Sequence, residues 1–262
     1  MRTMKILAVC SLFMAILVGC GAKGDSYDNM MSKKTLVVGV SADYPPFEFH
    51  KTLDGKDQIV GFDIDLANEI AKDLGVEMKI EDMKFESLIG ALNSDKLDMV
   101  ISGMDPNPER AKAVDFSNPY YLAEAGIIVR AADKEQYKTP EDLQGKKIGV
   151  QKGSTFENVV TQIPEAQPEL LSKVSDLVLA LESNRIEAVI VEKPVAKAYA
   201  SNRPELEMSD AVLQPASDGY VIGFRKGSPK MVEAANKTIA RLKSEGKLDE
   251  FITKATQMAE EQ

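Results

Sequence analysis

Hydrophobic positions along the chain fall into short runs separated by segments of helical period. Leu36, Val37, Val38, Gly39 and Val40 form an apolar run that reads as a buried strand. Ile64, Ala67, Ile70, Ala71 and Leu74 then recur at helical spacing, which predicts a helix over 63–74 with Gly75 just past its end. Residues 76–80 alternate as a strand, 88–92 read as helix and 97–101 as a further strand. Strands are expected at 127–129, 147–150 and 188–191, and helices from Ser154 and over 177–181. From Ser228 to the end the pattern is helical alone. Alternation of strand and helix predicts an α/β protein with largely parallel sheets.

The pattern also repeats. Residues 88–101 (LIGALNSDKLDMVI) align without gaps on 177–190 (LVLALESNRIEAVI), and 38–41 align more weakly on 148–151. Any helix–turn–strand unit shares part of this likeness; the bolder reading is two similar α/β lobes. That reading puts Ser41 and Gln151, and Ser102 and Glu192, at or just past the carboxyl ends of equivalent strands. Open α/β sheets hold ligands there, and two such lobes face to face would enclose a cleft.

The first residues stand apart. Arg2 and Lys5 precede an almost wholly apolar run, Ile6 to Val18, too short to span a bilayer comfortably and suited to a signal-peptide core. The run closes on Leu17-Val18-Gly19-Cys20, which resembles a bacterial lipobox. Residues 1–19 are therefore expected to be removed. Cys20 would be lipidated and held to the outer face of the membrane, and 20–32 would act as a polar tether. Cys10 would be lost with the leader. A formal net charge of −9 over 262 residues argues against nucleic-acid binding, and one His with two Cys leaves little for a metal site. No cofactor or metal is expected.

Five blocks share the order and spacing of a known family. They are Asp43-Tyr44-Pro45-Pro46-Phe47-Glu48-Phe49, Gly61-Phe62-Asp63-Ile64-Asp65-Leu66, Asp98 to Met104, Pro108-Glu109-Arg110, and Asp115 to Tyr121. With Leu143 to Thr155 they resemble the polar amino-acid-binding proteins of ABC importers, extracellular solute-binding proteins of family 3. The resemblance implies a two-lobed periplasmic-binding-protein-like fold (type II) that closes on its ligand about a hinge. One lobe would use 33–121 plus 218–262 and the other 122–217. It implies an ABC permease as partner, and a monomer is the expected state.

A free amino acid presents a carboxylate, an ammonium and a side chain. The carboxylate calls for a guanidinium and backbone N–H groups, which Arg110, the Ser102-Gly103-Met104 turn and Ser154-Thr155 can supply. The resemblance puts Glu192 where an Asp takes the ammonium, and sets the ligand side chain between Tyr44 and Phe85, whose ring faces suit a cation. Two departures bear on specificity. Ser41 stands where cation- and amide-binding relatives often carry an Asp, and Asp105 stands where a Thr or Ser is usual, so Asp105 either orients Arg110 or meets the ligand directly. Gln151 is a candidate side-chain contact. Arginine or lysine is expected ahead of glutamine.

Two other function classes fit parts of this pattern. Enzymes of cyclohexadienyl dehydratase type share the fold and need a general acid over the substrate, a part Glu192 could take. An amino-acid-sensing lipoprotein without a transporter would carry the same pocket. Nucleotide-phosphate loops and nucleophile elbows are missing from the sequence.

Overall fold

The structure, a computed structural model, describes residues 26–261; the predicted signal peptide and Cys20 lie outside them. Helix α1 (Ser26–Lys33) leads into β1 (Thr35–Val40), β2 (Asp43–Tyr44), β3 (Glu48–Leu53) and β4 (Lys56–Val60). Then come α2 (Phe62–Leu74), β5 (Glu77–Asp82), α3 (Leu88–Asn93), β6 (Met99–Val100), α4 (Pro108–Ala113) and β7 (Val114–Phe116). The second half runs β8 (Ala125–Arg130), β9 (Lys147–Gln151), α5 (Phe156–Val159), β10 (Gln167–Leu171), α6 (Val174–Glu182), β11 (Ala188–Glu192), α7 (Lys193–Ser201) and β12 (Leu206–Met208). The chain ends with β13 (Gly223–Arg225), α8 (Pro229–Ser244) and α9 (Lys247–Glu260).

Two five-stranded sheets result, ordered β5-β1-β6-β13-β7 and β10-β9-β11-β8-β12. Each has three parallel strands followed by an antiparallel pair of steps, β6–β13–β7 in one and β11–β8–β12 in the other. The sheets are thus mixed where the sequence pattern predicts largely parallel ones. Hydrophobic runs do not mark direction: β7, β12 and β13 are three residues each, and β8 is legible as a strand at 127–129 but not as an antiparallel one.

The sequence repeat is a repeat of register. Val38 lies opposite Met99 in the first sheet, and Ile148, its aligned partner, lies opposite Ala188 in the second. Packing repeats too. A Cβ on Gly39 would collide with Leu97 and Leu88, and one on Gly149 with the aligned Ile186 and Leu177. Glycine at both positions lets a helix–strand unit sit close over the central strand. Fully buried Leu88 and Leu177 fill that space, each contributing about 1.5–3 kcal/mol.

Residues 26–32, predicted as the end of a polar tether, instead belong to helix α1. Met30 is fully buried, the Ser26 hydroxyl donates to Ser228 Oγ at 2.6 Å, and Lys230 pairs with Asp28 at 2.9 Å, so this helix is fastened to the start of α8. Polar neighbours hid a short apolar anchor, Met30 with Tyr27 and Met31 packed beside it against the core. A three-stranded sheet, β2-β3-β4, adds a hairpin to the first lobe that the hydrophobic pattern does not mark.

Candidate functional site

The ends of β1 and β6 meet the turn after β9 across a cavity lined by Ser41, Tyr44, Glu48, Phe85, Ser102 and Gly103, and by Asp105, Arg110, Gln151, Ser154, Thr155 and Phe156. Both lobes contribute, as the placement of equivalent strand ends predicts.

Arg110 is positioned by its own short helix. Pro108 opens α4, where its fixed φ and missing N–H suit the first turn, and Asn107 caps it by accepting the Arg110 N–H at 2.8 Å. The Arg110 guanidinium donates to the Asp105 carbonyl at 2.5 Å and, across the cleft, to the Gly153 carbonyl at 2.8 Å. It lies 5.3 Å from the centre of the Phe85 ring. Burial lowers its pKa, with Asp105 opposing.

Asp105 spans both lobes. Its Oδ2 accepts from the Thr155 hydroxyl at 2.6 Å and its Oδ1 from the Ser217 hydroxyl. Burial raises its pKa against these bonds and the nearby Arg110 charge. Its carboxylate therefore meets hydroxyls, and its carbonyl meets Arg110. Ser154 donates its hydroxyl to the Gln151 carbonyl at 2.6 Å, closing the turn before α5. That helix, expected from Ser154, is a single turn, Phe156–Val159. The Gln151 amide reaches the Ser172 carbonyl at 3.4 Å.

A chain of polar contacts runs under the first lobe's wall. The Ser41 N–H donates to Ser102 Oγ at 3.0 Å, and the Ser102 hydroxyl donates to Glu48 Oε1 at 2.6 Å. Gly103 takes φ +49, and its N–H donates to Asp63 Oδ2 at 2.9 Å. A Cβ there would stand 2.9 Å from the Tyr44 ring, so only glycine lets the turn lie against that ring. Asp63 also accepts from the Tyr120 hydroxyl at 2.9 Å. Glu48 Oε2 meets no donor N–H or O–H among the described residues. Burial, with the Asp63 charge, holds Glu48 well above the usual carboxyl range, while burial lifts Asp63 to about 6. A proton kept on Glu48 makes the approach of two acids favourable.

Two expected site residues do not line the cavity. Met104 is buried with Phe85 and Leu88 in the core beside it. Glu192 is engaged beside it: its carboxylate accepts from the Glu124 N–H and, at 3.0 Å, from the Tyr220 hydroxyl. Its longer arm reaches past the strand end to those donors. Burial pushes its pKa up to about 8 despite both bonds. Conversely, Glu48 and Phe156 line the cavity although the sequence pattern does not mark them as site residues. Glu48 lies within a quoted block, and its place directly after Pro-Pro-Phe, on the strand that returns from the cleft, is the signal that could have found it.

The cavity has a volume of about 10 Å³, room for a single water. Small-molecule sites are typically above roughly 300 Å³. The lobes are therefore drawn together here, and a ligand enters only if they part.

Known proteins share this whole architecture. The chain is 37% identical over 257 residues to the arginine-binding extracellular protein ArtP of Bacillus subtilis, covering 96% of each. It is 34% identical to a probable histidine-binding protein of Campylobacter jejuni, covering 96% of each. Among solved structures, the substrate-binding protein AbpA of an amino acid ABC transporter from Streptococcus pneumoniae, bound to L-arginine, superposes with a TM-score of 0.86. That match is at 39% identity, over 90% of this chain and 100% of that one. Residues 36–257 match the model of one family, and the chain belongs to it: the bacterial extracellular solute-binding proteins, family 3.

Proposed function

We propose that this chain captures a free amino acid with a cationic side chain, arginine first, outside the cell and delivers it to an ABC permease. The observation that carries this reading is the cavity itself. One enclosure shared by both lobes combines a buried guanidinium, three aromatic rings (Tyr44, Phe85 and Phe156) and a buried carboxyl, Glu48, with an oxygen that no donor satisfies. Arg110 would take the ligand carboxylate, exchanging the carbonyls of Asp105 and Gly153 for a charge-assisted pair. Tyr44 and Phe85 would flank the side chain. Glu48, rather than the Asp missing at position 41, would meet its charged tip, which would replace the proton now held there. Ser102, Gly103, Ser154 and Thr155 would supply hydroxyls and amides, and Gln151 a polar wall. Glu192 would reach the ammonium only by leaving Tyr220 as the lobes part.

The names of the relatives support a binding role in a transporter rather than catalysis. The lobe limits that fit are 33–121 plus 218–262 and 122–217, because the chain leaves the first sheet after Phe116 and rejoins it at Gly223. Lipidation of Cys20 would keep a monomer at the outer face of the cell membrane; among the described residues no helix is long and apolar enough to cross a bilayer.

Isothermal titration with arginine, lysine, histidine, glutamine and citrulline tests the reading. Arginine should bind tightest and its methyl ester poorly. Glu48→Gln should weaken arginine by about tenfold or more, the worth of one charge-assisted bond, and leave citrulline unchanged. Equal affinity for arginine and citrulline in the wild type would refute the role of Glu48.

A further inference from the structure

Asp43 does not line the cavity, yet its neighbour Tyr44 does. The two residues make up β2 in the first lobe. Helix α6, in the second lobe, begins at Val174, and Lys173 before it offers no side-chain cap. The first N–H groups of any helix lack partners within it. Here the missing acceptor comes from the opposite lobe: Asp43 Oδ2 accepts the Ser175 N–H at 3.1 Å and the Ser175 hydroxyl at 3.4 Å. The Asp43 carbonyl accepts the Tyr199 hydroxyl of α7 at 2.9 Å. Tyr44 adds a third tie, its hydroxyl accepting the Glu192 N–H at 3.1 Å. Two consecutive residues of one lobe thus hold α6, α7 and the end of β11 in the other.

We propose that Asp43 is a positioning residue for closure: as the borrowed cap of α6 it holds the lobes together and so sets ligand affinity without touching the ligand. The inference rests on the amino-acid-binding reading above. Ligand is enclosed only between closed lobes, so any interlobe bond that favours closure strengthens every ligand by the same factor. A ligand contact behaves differently, because it favours one ligand over another. Losing an N-cap typically weakens an equilibrium by about 2- to 30-fold, which bounds the effect.

The test uses the mature protein with Asp43→Ala, Asp43→Asn and Tyr199→Phe, each checked for folding by circular dichroism. Asp43→Ala should lower affinity for arginine and lysine by one common factor within that range, chiefly through faster release. Asp43→Asn should restore binding, since Asn caps as well as Asp. Tyr199→Phe, which removes a single hydroxyl, should act in the same uniform direction. Unchanged binding in Asp43→Ala, unequal loss between the two ligands, or an Asn variant as weak as the Ala variant would each overturn the proposal. Should the wild type bind no amino acid, the binding reading falls, and small-angle scattering then decides the clasp alone. Ligand-free Asp43→Ala should be less compact than the wild type, and equal radii would overturn it.

Discussion

Glu192 makes a prediction that can be worked through. The residue is 1% exposed, and burial is the largest influence on its carboxyl. Its bonds from Glu124 and Tyr220 favour the charged form, the charges of Asp105 and Glu124 oppose it, and the balance lies at about 8 against an ordinary 4.5. Folding therefore raises the pKa of this acid. A raised folded-state pKa gives stability that is full below the unfolded value and is lost as pH climbs through the folded one. At about 1.4 kcal/mol per unit, the stability present at pH 5.5 and gone by pH 8.5 is about 3 kcal/mol. Glu48, Asp63, Asp43 and Asp105 are raised as well and slope the same way, so the wild-type curve alone assigns nothing.

The perturbation that isolates the residue is Glu192→Gln. Its amide oxygen still accepts the Glu124 N–H, and its NH₂ can donate to the Tyr220 hydroxyl, which is able to accept. The variant should match the wild type within about 1 kcal/mol at pH 5.5 and exceed it by about 2–3 kcal/mol at pH 8.5. Urea unfolding at both pH values reads this directly as a change in the difference between the two proteins. A difference that stays constant from pH 5.5 to 8.5 would mean Glu192 is ionised throughout, and would refute the reasoning.

Arg110→Ala should weaken arginine by about 30-fold or more, the cost of leaving a charged partner unpaired in an enclosed site, as measured by titration with folding checked by circular dichroism. Gly103→Ala should cost about 1–3 kcal/mol in urea unfolding, because φ +49 and contact with the Tyr44 ring both resist a Cβ. The same variant should weaken every ligand, since the displaced ring forms the pocket wall.

Much of the fold was legible because its units are local. Strand β1, helix α2 and the two aligned helix–strand units are read from periodicity, and the aligned residues turn out to hold equivalent registers, Val38 on Met99 and Ile148 on Ala188. What escaped has non-local causes. Strand β13 is three residues long and joins β6 and β7 from more than a hundred residues away, so its pairing has no local pattern. Helix α1 is short and mostly polar, meeting the core through Met30 with Tyr27 and Met31 beside it, and its fastening to Ser228 is invisible to periodicity.

The site shows the same division. The repeat places Ser41, Ser102, Gly103 and Gln151 at or just past strand ends, and all four line the cavity. Side-chain direction was not available from position: Glu192 also stands at a strand end, yet its longer arm satisfies itself on Tyr220 and Glu124 instead. Glu48 carries the converse lesson. The sequence shows an acid between two Phe residues, Phe47 and Phe49, where alternation leaves its side chain on the face opposite theirs. That reads as surface until the hairpin folds that face against Ser102 and Asp63. The acids gathered around the cavity, Glu48 and Asp105 with Asp63 beneath, then outnumber the single guanidinium of Arg110. Burial raises the pKa of each of these acids in the closed form, so ionising them in place is unfavourable. A ligand bringing two positive groups and one carboxylate lets an acid ionise without the full penalty, whereas an acidic amino acid adds to it. Charge compensation within the enclosure, more than the shape of its rings, is the ground for proposing a cationic side chain.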